Sequence, residues 1–161
     1  MQNIQSFIAL MLILMITGCG PAALQTHFVE GIVTLNGQPL EGAIVTFVPV
    51  QETPENVTAT GLTDESGRYT LTAIGATLSG ETGRGTLEGE HVVTIVKRET
   101  QAAGPRRGSD GSVVFDRDGA AEMSTITRLI TPQVYSRPDT TTLRATVQRG
   151  RNDIPFNMGG L

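Results

Sequence analysis

The stretch FVEGIVTLNGQPLEGAIVTFVPV, residues 28–50, decides the fold. Two short apolar, β-branched runs, 28–35 and 43–50, flank NGQPLEG at 36–42, whose Asn, Gly and Pro are turn formers. Asn36 and Gly37 suit positive φ, while Pro39 fixes φ and offers no ladder donor. In the second run Ile44, Thr46 and Val48 alternate with Val45, Phe47 and Pro49. A period of two puts Val45 and Phe47 toward a core and makes Pro49 an edge or a strand end.

The same grammar continues outward. NVTATGLTDESGRYTLTAI, from residue 56, places strand-like runs on both sides of Asp64-Glu65-Ser66-Gly67. Asp first and Gly fourth fit a type I turn followed by a left-handed glycine, so the segment reads as a hairpin with Asp64 accepting backbone N–H bonds across it. LEGEHVVTIVKRE at 87–99 gives another strand, with Val92, Thr94 and Val96 on one face and Val93 and Ile95 on the other. TTLRATVQ at 141–148 and DIPFNM at 153–158 complete the set. Residues 99–125 are rich in Gly, Ala, Ser and mixed charge, and such a segment reads as a mobile insertion. No stretch keeps helical periodicity over three turns, so the fold class is all-β.

At the other end, FIALMLILMI at 7–16 is an unbroken apolar run, too short for the roughly 20 residues of a membrane-crossing helix but within the ~7–15 of a signal-peptide core. It runs into Ile16-Thr17-Gly18-Cys19, and Cys19 is the only cysteine. The segment resembles a bacterial lipobox, which implies a signal peptide over 1–18, lipid on Cys19 and a tether over 19–27. Lipid on Cys19 leaves no thiol for an internal disulfide. The chain has 161 residues, and the part after the leader has room for one domain with its own core.

Composition narrows the function. A net charge of −4, with basic residues scattered along the chain, gives no footprint for nucleic acid. Aromatics make up 4% with no Trp, which argues against stacking platforms for sugars or single strands. The two histidines do not converge in sequence: His27 falls in the tether, and His91 stands in a strand where it replaces a packing aromatic. Zinc needs three or four N, S or O ligands, and no cluster has that spacing. Asp116, Asp118 and Glu122 in FDRDGAAE lack the full oxygen series of a calcium loop and read as a solvated loop. No cofactor, metal or catalytic residue is expected.

Together VEGIVTLNGQPLEGAIVTFVP, TDESGRYTL and LEGEHVVTIVK resemble the opening hairpin, the D-x-x-G-x-Y/F turn and the G-x-Y-x-V-x-V strand of carboxypeptidase regulatory-like, transthyretin-like domains. His91 holds the place usually taken by an aromatic. The arrangement is similar to lipoproteins of the planctomycete type, and the resemblance covers nearly all of the chain after the leader except 99–125. It implies a seven- to eight-stranded Greek-key β-sandwich, prealbumin-like, over 28–161. It brings no catalytic residues: the hydroxyisourate-hydrolysing branch ends in a Tyr-Arg-Gly-Ser motif, and this chain ends FNMGGL. The expected function is that of a non-enzymatic lipoprotein of the cell envelope, on the inner or outer membrane and facing the periplasm. Its partners would be the membrane, through lipid on Cys19, and an envelope protein. The alternative is a module binding a small ligand or glycan with loops at one end of the sandwich.

Overall fold

A computed structural model describes residues 24–51, 57–74, 78–79 and 83–159. Cys19 and the expected signal peptide, residues 1–18, lie outside the described residues. β1 (Leu24–Leu35) turns at Asn36 (φ 53°) and Gly37 (φ 79°) into the short β2 (Gln38–Pro39), with Leu35 opposite Gln38. Two loop residues, both at positive φ, make the type I′ turn whose twist matches a right-twisted ribbon. β3 (Ile44–Pro49) and β4 (Thr58–Leu62) follow. Then comes the turn at Asp64, and after it β5 (Arg68–Thr70) and β6 (Thr72–Ile74). The chain continues through β7 (Leu78–Ser79), β8 (Thr86–Leu87), β9 (Gly89–Val96), β10 (Arg98–Pro105) and β11 (Met123–Leu129). A 3₁₀ turn at Gln133–Ser136 leads to β12 (Arg144–Val147), β13 (Arg151–Asp153) and β14 (Phe156–Met158).

Two sheets share one core. In the first, β1 pairs with β13 and β14 in parallel and with β2, β5 and β8 in antiparallel; β7 runs parallel to its start. The second is antiparallel throughout, in the order β12-β9-β3-β4-β6. Val29, Val33, Tyr69, Phe156 and Met158 of the first face Val45, Phe47, Ala59, Val93, Ile95 and Val147 of the second. Val45 and Phe47 are fully buried, as the alternation predicts, and each large apolar side chain so buried contributes about 1.5–3 kcal/mol. The Phe47 ring touches those of Tyr69 (6.4 Å), Phe156 (6.0 Å) and His91 (5.7 Å). This is an all-β, β-sandwich-like architecture. Pro49 closes β3, an interior strand, where its missing N–H costs no ladder bond further along.

The Asp64 turn has the expected geometry. Asp64 Oδ1 accepts the Ser66 and Arg68 N–H groups at 2.9 Å and the Ser66 hydroxyl at 2.7 Å, and Gly67 sits at φ 74°. The Ser66 hydroxyl above all, then the Arg68 N–H, hold this carboxyl below its ordinary range. The second arm of the hairpin does not stay with the first. Arg68–Thr70 pairs with β1, and only Thr72–Ile74 pairs with β4, so one extended segment crosses between the sheets at the buried Leu71.

Three expectations change. The strands outnumber seven or eight because this crossing divides a run that reads as a single strand and because several short strands pair along β1; fourteen stand among the described residues. Residues 24–27, assigned to the tether, belong to β1, since the backbone of Thr26 and His27 finds β8 to pair with. Residues 99–125, assigned to a mobile insertion, hold most of β10 and the start of β11, which pair as a two-stranded ribbon.

Gly67 and Gly37 separate two causes of strain. A Cβ at Gly37 meets nothing within 4 Å, whereas one at Gly67 lands 2.5 Å from the Val33 carbonyl oxygen and 3.1 Å from Leu40 N. Gly37→Ala should cost about 1 kcal/mol from positive φ alone, and Gly67→Ala at least about 3 kcal/mol, in denaturant titrations of the two variants. Equal losses would remove the close approach of this turn to β1. Tyr69→Phe keeps the ring and deletes the hydroxyl that donates to the Ile154 carbonyl at 2.7 Å. A loss of about 1–2 kcal/mol is expected in the same titration, and no loss would show that bond to be dispensable.

Candidate functional site

The feature that stands apart from the sandwich is the ribbon. β9 runs through Lys97 straight into β10, so the ribbon prolongs a core strand into solvent. Its root is tied by Ile130 N–H to the Lys97 carbonyl (2.9 Å) and by Lys97 N–H to Thr131 Oγ1 (3.3 Å). Beyond the root, β10 and β11 pack on each other and only marginally on other described elements. Thr100 and Thr127 hydroxyls meet across it at 3.1 Å, and the register shifts between Ala102 and Gly104, with Gly104 at φ 95°. Such a β-bulge bends and twists a ribbon.

Its far end is a three-way junction. Arg106 N–H donates to Glu122 O (2.7 Å), Glu122 N–H to Val114 O (2.9 Å), and Val114 N–H to Arg106 O (2.9 Å). Two small hairpins leave this ring, marked by the bridges Arg107 to Val113 and Phe115 to Ala121. The second closes as the Asp64 turn does: Asp116 Oδ1 accepts from Asp118 N and Ala120 N, and Gly119 takes φ 81°. In the first, Asp110 Oδ1 accepts from the Ser112 hydroxyl and N–H, which hold its carboxyl below the ordinary range. The sequence signal was there: DRDGA at 116–120 repeats the D-x-x-G pattern of DESGR at 64–68. Asp116 is therefore a turn residue, and Glu122 pairs with Arg106 at 2.7 Å. Phe115, Met123 and Ile126 on this ribbon are each more than half exposed.

A second feature is an open hollow of about 450 Å³ on the outer face of the five-stranded sheet, lined by Ile44, Thr60, Gly61, Leu62, Thr70 and Thr72. It holds no charged or aromatic side chain. Among the described residues no three His, Cys, Asp or Glu side chains converge to hold a metal ion, and no helix is long and apolar enough to cross a membrane. Asn36, Gly37, Asp64 and Gly67 all serve turns, and the structure brings none of them into a cluster with the ribbon or the hollow.

The two histidines flank one strand. His91 is fully buried; its Nδ1 faces the Gly89 carbonyl (3.1 Å) and its Nε2 the Thr86 hydroxyl (3.3 Å). A carbonyl partner requires Nδ1 to carry a proton, and in the neutral ring Nε2 then accepts from the Thr86 hydroxyl. The backbone of the same Thr86 pairs with His27, whose Nδ1 accepts the Gly150 N–H at 3.3 Å. Burial pushes the His91 pKa below 6.5, against a smaller opposing pull from the Gly89 carbonyl. Comparison of the chain with protein-family models, with curated proteins and with solved structures gives no match.

The sign of the pH effect follows. Well above the ordinary histidine pKa, His91 is neutral whether the chain is folded or not. Below it the unfolded chain takes up the proton first, so stability falls with falling pH until the folded imidazole titrates as well. Urea titrations from pH 7 to 5 should show a steeper decline in the wild type than in His91→Gln, by up to about one proton, or about 1.4 kcal/mol per pH unit. Parallel declines would assign the acid sensitivity to carboxylates instead.

Proposed function

We propose that this chain is a non-enzymatic envelope lipoprotein, anchored through acyl chains on Cys19 and acting as a structural or protein-interaction module. The observation that carries the reading is the placement of the only cysteine: it follows the apolar run at 7–16 and precedes β1, which begins at Leu24, by a few residues. An anchor there leaves residues 20–23 as spacer, so the domain would stand close against the bilayer, on its inner- or outer-membrane face toward the periplasm. The transthyretin-like, Greek-key reading of the sandwich belongs to the same proposal and is supported by two sheets around one core, the second of them antiparallel throughout. The interaction role is supported by the ribbon, which spends the 34 residues 97–130, between β9 and the Thr131 clasp, on structure that packs only marginally on the other described elements. Binding of a small ligand or glycan is the second reading, favoured by the hollow beside Ile44 and its three threonines. It ranks below the first because specific sites commonly add a few placed charged or aromatic groups to such a lining.

Intact mass of the wild-type protein with acyl-chain labelling tests the anchor, beside a control in which a conventional cleavable signal is fused at Gly20. A mature chain beginning at acylated Cys19 is expected, held by at least two acyl chains, since one alone binds with K of only about 10⁴ M⁻¹. The control should be soluble. An unmodified thiol at Cys19, or a control that sediments with membranes through the domain itself, would overturn the anchor.

A further inference from the structure

The ribbon has two edges, and they differ. On β10 the edge is guarded by the Ala102 to Gly104 bulge, by Pro105 with no N–H, and by Arg98. On β11 the run Met123-Ser-Thr-Ile-Thr-Arg-Leu129 has no Pro, no Gly, no bulge and one charge. Natural edge strands normally carry such guards, because unpaired backbone groups template further pairing. A two-stranded ribbon in water is also marginal without a third strand or a packed face.

The alternation shows which groups are free to pair. Ile130 donates to Lys97 O, and Glu122 O accepts from Arg106, so in an antiparallel ladder the even-numbered residues of β11 turn their backbone groups toward β10. Met123, Thr125, Thr127 and Leu129 therefore turn theirs outward, and no described strand pairs with that side.

We infer that this edge pairs with the same edge of a second copy of the chain, antiparallel and two-fold about Ile126, to make a four-stranded sheet. Ile126 then faces Ile126 of the second copy in a non-hydrogen-bonded pair, flanked by two Thr125 to Thr127 pairs that exchange the outward backbone bonds. Met123 meets Leu129, and Ser124 meets Arg128, so no like charges face each other. The exposed Ile126 (65%) and Met123 (58%) gain apolar neighbours. Charge favours this contact over any between sandwiches: residues 97–130 hold six basic and five acidic residues, the rest of the chain six basic and eleven acidic. The bodies, each at net −5, repel one another more than the ribbons, each at net +1. A closed two-fold pairing also explains why one edge can go unguarded without open-ended association. The inference stands whether or not Cys19 carries lipid.

Single cysteines in the full-length chain read the register directly, with the wild type reporting any contribution from Cys19. Facing residues of a non-hydrogen-bonded pair stand about 4.5 Å apart at Cα, within disulfide range. Under mild oxidation Ile126→Cys should give a covalent dimer at least about tenfold faster than Thr125→Cys or Thr127→Cys alone, and a mixture of those last two should cross-link to each other. Thr125→Pro removes only an outward N–H, so it should leave the circular dichroism and melting midpoint near wild type while abolishing the dimer in sedimentation velocity. Equal cross-linking at 125, 126 and 127, a wild type that stays monomeric at every concentration, or a dimer that survives Thr125→Pro would each overturn the pairing.

Discussion

The tyrosine hydroxyl of Tyr69 reaches over β1 to the carbonyl of Ile154, and the sandwich is organised around that crossing. A ring can lie there only because residue 31 has no side chain: a Cβ on Gly31 would collide with the Ile154 carbonyl and sit 2.9 Å from the Tyr69 ring. The Ile154 N–H in turn donates to the Glu30 carbonyl, so the link between β13 and β14 is tied to β1 through its N–H and to β5 through its carbonyl. Tyr69 is almost wholly buried, and burial, helped by the Asp153 carboxylate, pushes its phenol well above the ordinary value. It therefore stays a neutral donor at any physiological pH, and the bond does not depend on conditions.

From this crossing the rest of the topology follows. With β5 held against β1 by Tyr69, the chain after the Asp64 turn cannot stay paired with β4 along its whole length, and it rejoins β4 only past Leu71. One segment thus belongs to both sheets and fixes their relative position. The aromatic cluster of Phe47, Tyr69, Phe156 and the ring of His91 fills the space between, with the histidine satisfying its polar nitrogens on Gly89 and Thr86 rather than leaving them orphaned. Asn152 does comparable service at the other end, donating to the Phe28 and Gln148 carbonyls and accepting the Gln148 N–H.

The ribbon obeys different physics. It has no apolar interior of its own, and its order comes from ladder bonds, Asx turns and the backbone ring of Arg106, Val114 and Glu122. Its surface ion pair, Arg106 with Glu122, contributes little in water. Segments of this kind open at lower free energy than the core that carries them. The sandwich supplies a rigid base, and the ribbon reaches away from it.

What the sequence alone determined is local. Asn36-Gly37 and Asp64-x-x-Gly67 specify positive φ and Asx acceptance within four or five residues, and the period-two pattern of Val45 and Phe47 or Val93 and Ile95 specifies a buried face; both kinds of signal survive intact in the fold. The lipobox resemblance at Cys19 is equally local, and so was the D-x-x-G turn at Asp116, hidden by the polar composition around it. Only the tertiary structure decided which strand pairs with which. That Tyr69 belongs to β1 rather than β4, that Thr26 and His27 join β8, and that 99–125 fold into a ribbon with a ring at its tip all depend on groups distant in sequence. Backbone donors are alike at every residue, so a strand's own sequence names its faces but not its neighbours; these are chosen by whichever surrounding chain leaves the fewest buried groups unpaired.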